Sequence, residues 1–303
     1  MGETENRLHY DAVADLPIAP QPSVKQERGP DPNDPPWTLG GAFLVWFLSI
    51  CLIVALPVLF LIPYLMMKFR GGTADSAAIL NFILTDKTAV LLQVIALLPS
   101  HLLTLFMVWA LVTRFGKRPF WSAIGWGWGR IPPLAGTAIC VGLGIFFVIV
   151  GSFIAWLLGG GKPTTLEQII NSSLAARYLI AFFAVVSAPV VEEFVYRGIL
   201  YSPLQRLLGV PAAVVIVLVL FTIVHVPQYQ SNIGVIAAVG LLSIALTVIR
   251  AYTGRLLPCV IIHLVFNGIQ ATTLILEPHL SPVPPTTEPI TPTLITMFLH
   301  SIF

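Results

Sequence analysis

The sequence predicts an all-α fold, a multi-pass transmembrane helical bundle of about seven to eight spans behind a disordered polar tail. Three observations predict it. Of the 303 residues, 56% are hydrophobic and only 10% charged, and mean hydropathy is +0.89, where a soluble domain carries about 25% charged residues. The apolar residues gather in runs of the roughly 20 residues that a spanning helix needs. The charges are segregated: residues 1–36 hold seven acids and three bases, leaving seven acids and 13 bases for the rest of the chain. A water-soluble globule is excluded, and so is a nucleic-acid-binding chain, because the net charge is +2 with no basic block to neutralise phosphates.

Residues 1–36 end in Asp31-Pro-Asn-Asp-Pro-Pro and lack the basic and apolar regions of a signal peptide, so they are expected to form a flexible tail. The amino-terminal transmembrane helices fill 37–176. The first span runs from Trp37 to about Met67, with Pro57 and Pro63 inside it; the second covers about Ala89 to Val112, with His101 its single ionisable group; the third covers about Pro132 to Leu158 without a charge. A fourth, from Arg177 to Arg206, opens a core of 177–272 that continues with Pro211–Val226, Ile233–Ile249 and Leu256–Leu276. Residues 273–303 form a Pro/Thr-rich loop and an apolar end, Leu294–Phe303, too short to cross. Arg114, Lys117, Arg118 and Arg130 between the second and third spans, with Arg250 and Arg255 between the sixth and seventh, place those connections and the amino terminus on the cytoplasmic side. Cys51, Cys140 and Cys259 stand far apart in apolar runs and are expected to be small core fillers.

The fourth span is unusual. Glu192, Glu193 and Arg197 interrupt it near the middle, where each charge costs roughly 2.5 to 3.5 kcal/mol. Glu193 and Arg197 lie four apart on one helical face and are expected to form an ion pair. Glu192, turned about 100° from Glu193, points elsewhere. The fifth span ends Phe221-Thr-Ile-Val-His225, and the seventh holds His263-Leu-Val-Phe-Asn267, whose two polar residues share a face. His101, alone in its span, is expected to be a satisfied core residue. A glutamate in a poorly solvated site can serve as a general base on water, while His and Asn can share the proton work, ligate a metal or donate to a developing oxyanion. Such a set suffices to hydrolyse an amide bond.

Glu192-Glu193-x-x-x-Arg197, Phe221-x-x-x-His225 and His263-x-x-x-Asn267, with Arg197-Gly198 and Tyr252-Thr-Gly-Arg-Leu-Leu257, resemble the motifs of the CPBP family of intramembrane proteases. That family groups type II CAAX prenyl endopeptidases with bacterial proteins similar to lysostaphin resistance protein A and with bacteriocin-processing and immunity proteins. The resemblance covers about residues 177–272. It implies an integral membrane endopeptidase of a bacterial cytoplasmic membrane that acts on a peptide or protein, membrane-associated or lipidated. Carried onto the matching positions, it makes Glu192 the water-activating base, assisted by His225. His263 and Asn267 would stabilise the oxyanion, and Glu193 and Arg197 would order the first motif.

The resemblance leaves the metal open, since the family has been described both as metalloproteases and as metal-independent glutamate proteases. With zinc, the ligands would be Glu192, His225 and His263, against which Arg197 acts through like-charge repulsion. Two non-enzymatic readings stand beside it, a small-solute transporter and an immunity protein that uses the same polar cluster as a binding site. One difficulty is depth: at 1.5 Å per residue His225 and His263 are offset by about 10 Å, which asks for a late start, a break or a tilt. Pro189, Pro203 and Pro227 are candidate breaks.

Overall fold

The computed structural model of the chain describes residues 31–70, 75–158, 164–230 and 232–280. These residues are helical with no strand among them, and seven helices are long and apolar enough to cross a membrane. They are α1 (Leu39–Lys68), α3 (Lys87–Thr113), α4 (Pro133–Leu157), α6 (Leu174–Leu208), α7 (Val210–Tyr229), α8 (Ile233–Thr253) and α9, which runs Leu257–Leu280. Shorter helices between them include α2 (Ser76–Thr85) and α5 (Thr165–Ser172), besides a single turn at Phe120–Ala123. The protein is an integral multi-pass membrane protein with the seven spans that its apolar runs predict.

The polar residues between the spans set where helices begin. Thr38 caps α1 by accepting from Gly41 N, Asp75 caps α2 by accepting from Ala78 N, and Asp86 caps α3 by accepting from Thr88 N and Ala89 N. Thr164 and Glu167 form a capping box on α5. Neither α2 nor α5 is long enough to follow from the apolar runs. The Thr164-Thr-Leu-Glu167 pattern nonetheless carries a capping-box signature that announces α5.

Lipid replaces water around the bundle, so most helices turn large apolar side chains outward and reserve small residues for contact. At Gly144 a Cβ atom would stand 2.6 Å from the Val265 side chain, and at Gly234 one would stand 2.7 Å from the Ala155 backbone. These two glycines let α4 close on α9 and on α8. Pro57 and Pro63 remain inside α1 without ending it, and Pro227 is accommodated in the last turn of α7 without breaking it.

The breaks expected at the prolines take another form. The α6 helix is continuous, with two π-helical stretches, Phe183–Ser187 and Phe194–Leu200. Ala188 N–H donates to Phe183 O and Tyr201 N–H donates to Tyr196 O, each five residues back. Pro189 and Pro203 follow these turns, and each removes an N–H from the helical ladder and crowds the carbonyl four residues before it. The depth offset is taken up at the start of α9. Leu256, the residue before α9, is fully buried and donates its N–H to Gly125 O in the α3–α4 connection. That connection covers the end of α9, which therefore begins inside the protein and carries His263 deeper.

Further sequence expectations change. The tail assigned to 1–36 has its first 30 residues outside the described ones, whereas Pro32 to Asp34 and Pro35 bond to α6 and α8, next to the buried hydrogen bond of Trp37. Arg250, counted among the loop charges, is fully buried on α8. At the other end, α9 extends through Leu280, and the Pro/Thr-rich loop and Leu294–Phe303 lie outside the described residues.

Candidate active site

The first motif is built on α6, with Glu192 and Glu193 between the two π turns and Arg197 within the second. The ion pair expected from the spacing forms, with Arg197 Nη1 2.9 Å from Glu193 Oε1 and both side chains fully buried. Arg197 also donates Nε to Thr247 Oγ1 and Nη2 to Ser243 O and Oγ on α8, and its guanidinium stacks 4.7 Å from the centre of the Phe221 ring. Every arm of the cation is satisfied, as a buried charge requires. Glu192 points away, as its rotation predicts, and its side chain is 25% exposed where that of Glu193 is fully buried.

Glu192 faces two imidazoles from different helices. His225 Nε2 is 3.9 Å from Oε1 and His263 Nε2 is 3.8 Å from Oε2. Each histidine is held by its other nitrogen. His225 Nδ1 lies 2.7 Å from Phe221 O, and a carbonyl only accepts, so this nitrogen carries the proton. His263 Nδ1 lies 2.8 Å from Glu193 Oε1, an oxygen of the ion-paired carboxylate, and donates to it. In their neutral forms both rings therefore turn an unprotonated Nε2 toward Glu192. Phe221 thus has several contacts in the site: its carbonyl fixes His225, and its ring lies beneath Arg197, 4.6 Å from the His225 ring centre and 6.2 Å from that of His263.

Asn267 projects one turn below His263. Its Nδ2 donates to Ala184 O at 2.8 Å, a carbonyl four residues before Ala188, whose N–H is committed to Phe183 O. The first π turn therefore exposes an acceptor that Asn267 takes with one N–H, leaving the second free. Glu192, His225, His263 and Asn267 all line one cavity of about 560 Å³, with apolar walls that include Leu97, Phe183, Leu242 and Phe266. All four residues that the motifs single out are brought to this one space, with Glu193 and Arg197 behind it.

His101 is buried and bonded through Nδ1 to Ser187 Oγ at 2.8 Å, the satisfied state expected of it, and it also reaches the cavity wall. Cys140 and Cys259 are buried, whereas Cys51 is exposed on α1, unlike the core filler expected there. A carboxylate and two imidazole nitrogens are chemically suited to zinc, but among the described residues no group of three or more His, Cys, Asp or Glu is drawn together to hold a metal ion. The metalloprotease reading gains no support from this geometry.

Searches of curated proteins and of solved structures give no match for the chain. A family model does match. Residues 174–269, the stretch that begins with α6 and holds all six polar side chains of the site, match the Rce1-like type II CAAX prenyl endopeptidase family, in agreement with the resemblance that the three motifs carry.

Proposed function

We propose that the protein is an intramembrane endopeptidase that hydrolyses a peptide bond of a membrane-associated or lipidated substrate, with Glu192 as the base. One observation carries the reading: the two oxygens of a cavity-facing carboxylate stand opposite the Nε2 atoms of two histidines whose Nδ1 protons are already committed. Separations of 3.8 and 3.9 Å are too long for direct hydrogen bonds and suit a bridging water. Such a water has a base on one side and ring nitrogens on the other.

In the reaction, Glu192 takes a proton from this water as its oxygen attacks the scissile carbonyl carbon, and His225 holds the water in line. The carbonyl oxygen becomes an oxyanion that accepts from the free N–H of Asn267 and from His263 Nε2, which takes the water proton over from Glu192 Oε2, 3.8 Å away, and hands it back before the intermediate collapses. The tetrahedral intermediate then collapses. Its C–N bond breaks, and Glu192 returns the proton to the leaving amine, which regenerates the carboxylate. Glu193 and Arg197 touch no reacting atom and hold His263 and the helix.

The apolar walls of the cavity favour a substrate segment that arrives from lipid. The test uses the purified protein in liposomes with a quenched fluorescent peptide bearing an apolar anchor. Glu192→Gln, nearly isosteric but not basic, is expected to lower cleavage by about 10² to 10⁴-fold while the protein stays folded. Full cleavage by this variant would refute the proposal, and metal analysis of the same preparation tests the metal-free route.

A further inference from the structure

The second π turn of α6 and Pro203 together strip two carbonyls of their helical donors, and both are recovered by groups that lead to the amino-terminal segment. Tyr201 N–H goes to Tyr196 O, and Arg197 O accepts instead from Arg250 Nε at 3.2 Å. Pro203 has no N–H for Ile199 O, four residues earlier, and this oxygen accepts from Trp37 Nε1 at 2.9 Å. Arg250 is fully buried, and its hydrogen bonds go to neutral acceptors. Besides Arg197 O and Ser202 Oγ, its guanidinium donates to Asn33 Oδ1 and Pro32 O, both at 2.9 Å. Gln205 and Arg206, one turn on, bond to Asn33 O, Pro35 O and Asp34.

Hydrogen bonds therefore run from residues 32–37 through Arg250 to Arg197, from Arg197 to Glu193, and from Glu193 to His263. We propose that residues 31–37 are a positioning strap for the reaction. By occupying Arg250 and Ile199 O they keep the second π turn of α6 in register, and the register decides which face of the helix carries Glu192. A return of this turn to α-helical hydrogen bonding would rotate the residues on one side of it relative to the other by a fraction of a turn, and would separate Arg197 from Thr247 and Ser243. The strap acts through other residues, so its constituents are positioning residues and not catalytic ones. The kinetic part of the proposal rests on the peptidase reading above, and the structural part does not.

The test compares the full-length wild type with Asn33→Ala/Trp37→Phe and with Asn33→Asp in lipid nanodiscs, by amide hydrogen exchange and by peptide cleavage. The double variant removes one acceptor from Arg250 and the donor to Ile199 O. It is expected to speed exchange over residues 197–203 about tenfold, with α4 unchanged. It is also expected to lower kcat about tenfold with KM held within about twofold. Asn33→Asp keeps the acceptor oxygen and is expected to leave both values as in the wild type. Unchanged protection over 197–203 in the double variant, equal loosening of α4, or lost protection with kcat intact would each overturn the strap. A wild type without peptidase activity would refute the proposed function alone, and the exchange comparison would still decide the strap.

Discussion

Glu193 Oε1 accepts from His263 Nδ1 at 2.8 Å while the same oxygen accepts from Arg197 Nη1 at 2.9 Å. The second glutamate of the motif is thus more than a counter-ion: it fixes which nitrogen of His263 is free to face Glu192. Its other oxygen, Oε2, is buried without a hydrogen-bond partner among the described residues, so the carboxylate spends its bonding capacity on one atom.

Glu193→Gln keeps the shape and removes the charge that both partners need. Leaving Arg197 buried without its carboxylate is expected to destabilise the protein by about 3 to 5 kcal/mol, measured as the shift of an unfolding midpoint in mixed micelles. Cleavage should fall as well, because the charged acceptor that holds His263 Nδ1–H is replaced by a weaker neutral amide oxygen. An unaltered midpoint would show that the pair contributes nothing to stability.

Asn267 serves two partners under the proposed mechanism, the carbonyl exposed by the first π turn and the developing oxyanion. Asn267→Ala leaves Ala184 O bare, at a cost of about 1 to 3 kcal/mol in stability. It also removes a transition-state donor, for which a loss of about 10² to 10³ in kcat is expected. Steady-state kinetics together with thermal unfolding separates the two effects, and a stability loss with full kcat would remove Asn267 from the reaction.

Gly234 sits where α8 meets α4, and a Cβ there would lie 2.7 Å from Ala155 Cα. The neighbour is backbone and cannot swing aside. Gly234→Val is expected to cost about 1 to 3 kcal/mol or more, the range typical of overpacking. Gly40, where a Cβ would meet nothing within 4 Å, is the control: Gly40→Ala should be neutral or stabilising by up to about 1 kcal/mol. Unfolding midpoints of the two variants give the comparison.

Asp86 caps α3 outside the membrane span, and its carboxyl is held below the ordinary carboxylate range. The Ala89 N–H is the chief cause, burial opposes it, and the Tyr64 hydroxyl and Thr88 N–H add to it. A carboxyl lowered in the folded state binds its proton more readily when unfolded. Its contribution is therefore full above the unfolded value and is lost as pH falls through the folded one. Asp86→Ala is expected to cost about 1 kcal/mol near neutral pH and progressively less under acid. Parallel unfolding curves for the two proteins from neutral to strongly acidic pH would show the gap closing.

Much of the site is legible because lipid makes polar residues expensive. Glu192, Glu193 and Arg197 stand out in an apolar run, helical spacing pairs Glu193 with Arg197 and turns Glu192 away, and His263 with Asn267 share a face by the same period. Arg250 is the instructive failure. A charge close to the end of a span looks like a loop residue, as Arg255 does. Ser243 and Thr247 precede it at helical spacing on α8, a polar face in an apolar helix, and that pattern is the signal that would have placed it inside.

What the sequence determined by itself is the class of the protein, its seven spans and the identity of the six polar residues. All of these follow from local rules, the thickness of the bilayer and the helical period. The tertiary structure alone decided the π turns of α6, the buried start of α9 that brings His263 level with His225, the bond from Asn267 to Ala184, and the docking of 31–37. Each of these depends on where a carbonyl released in one helix finds a donor from another. That pairing is set by distance across the bundle, over separations of 53 residues for Arg197 and Arg250 and 162 for Trp37 and Ile199, which no local pattern encodes.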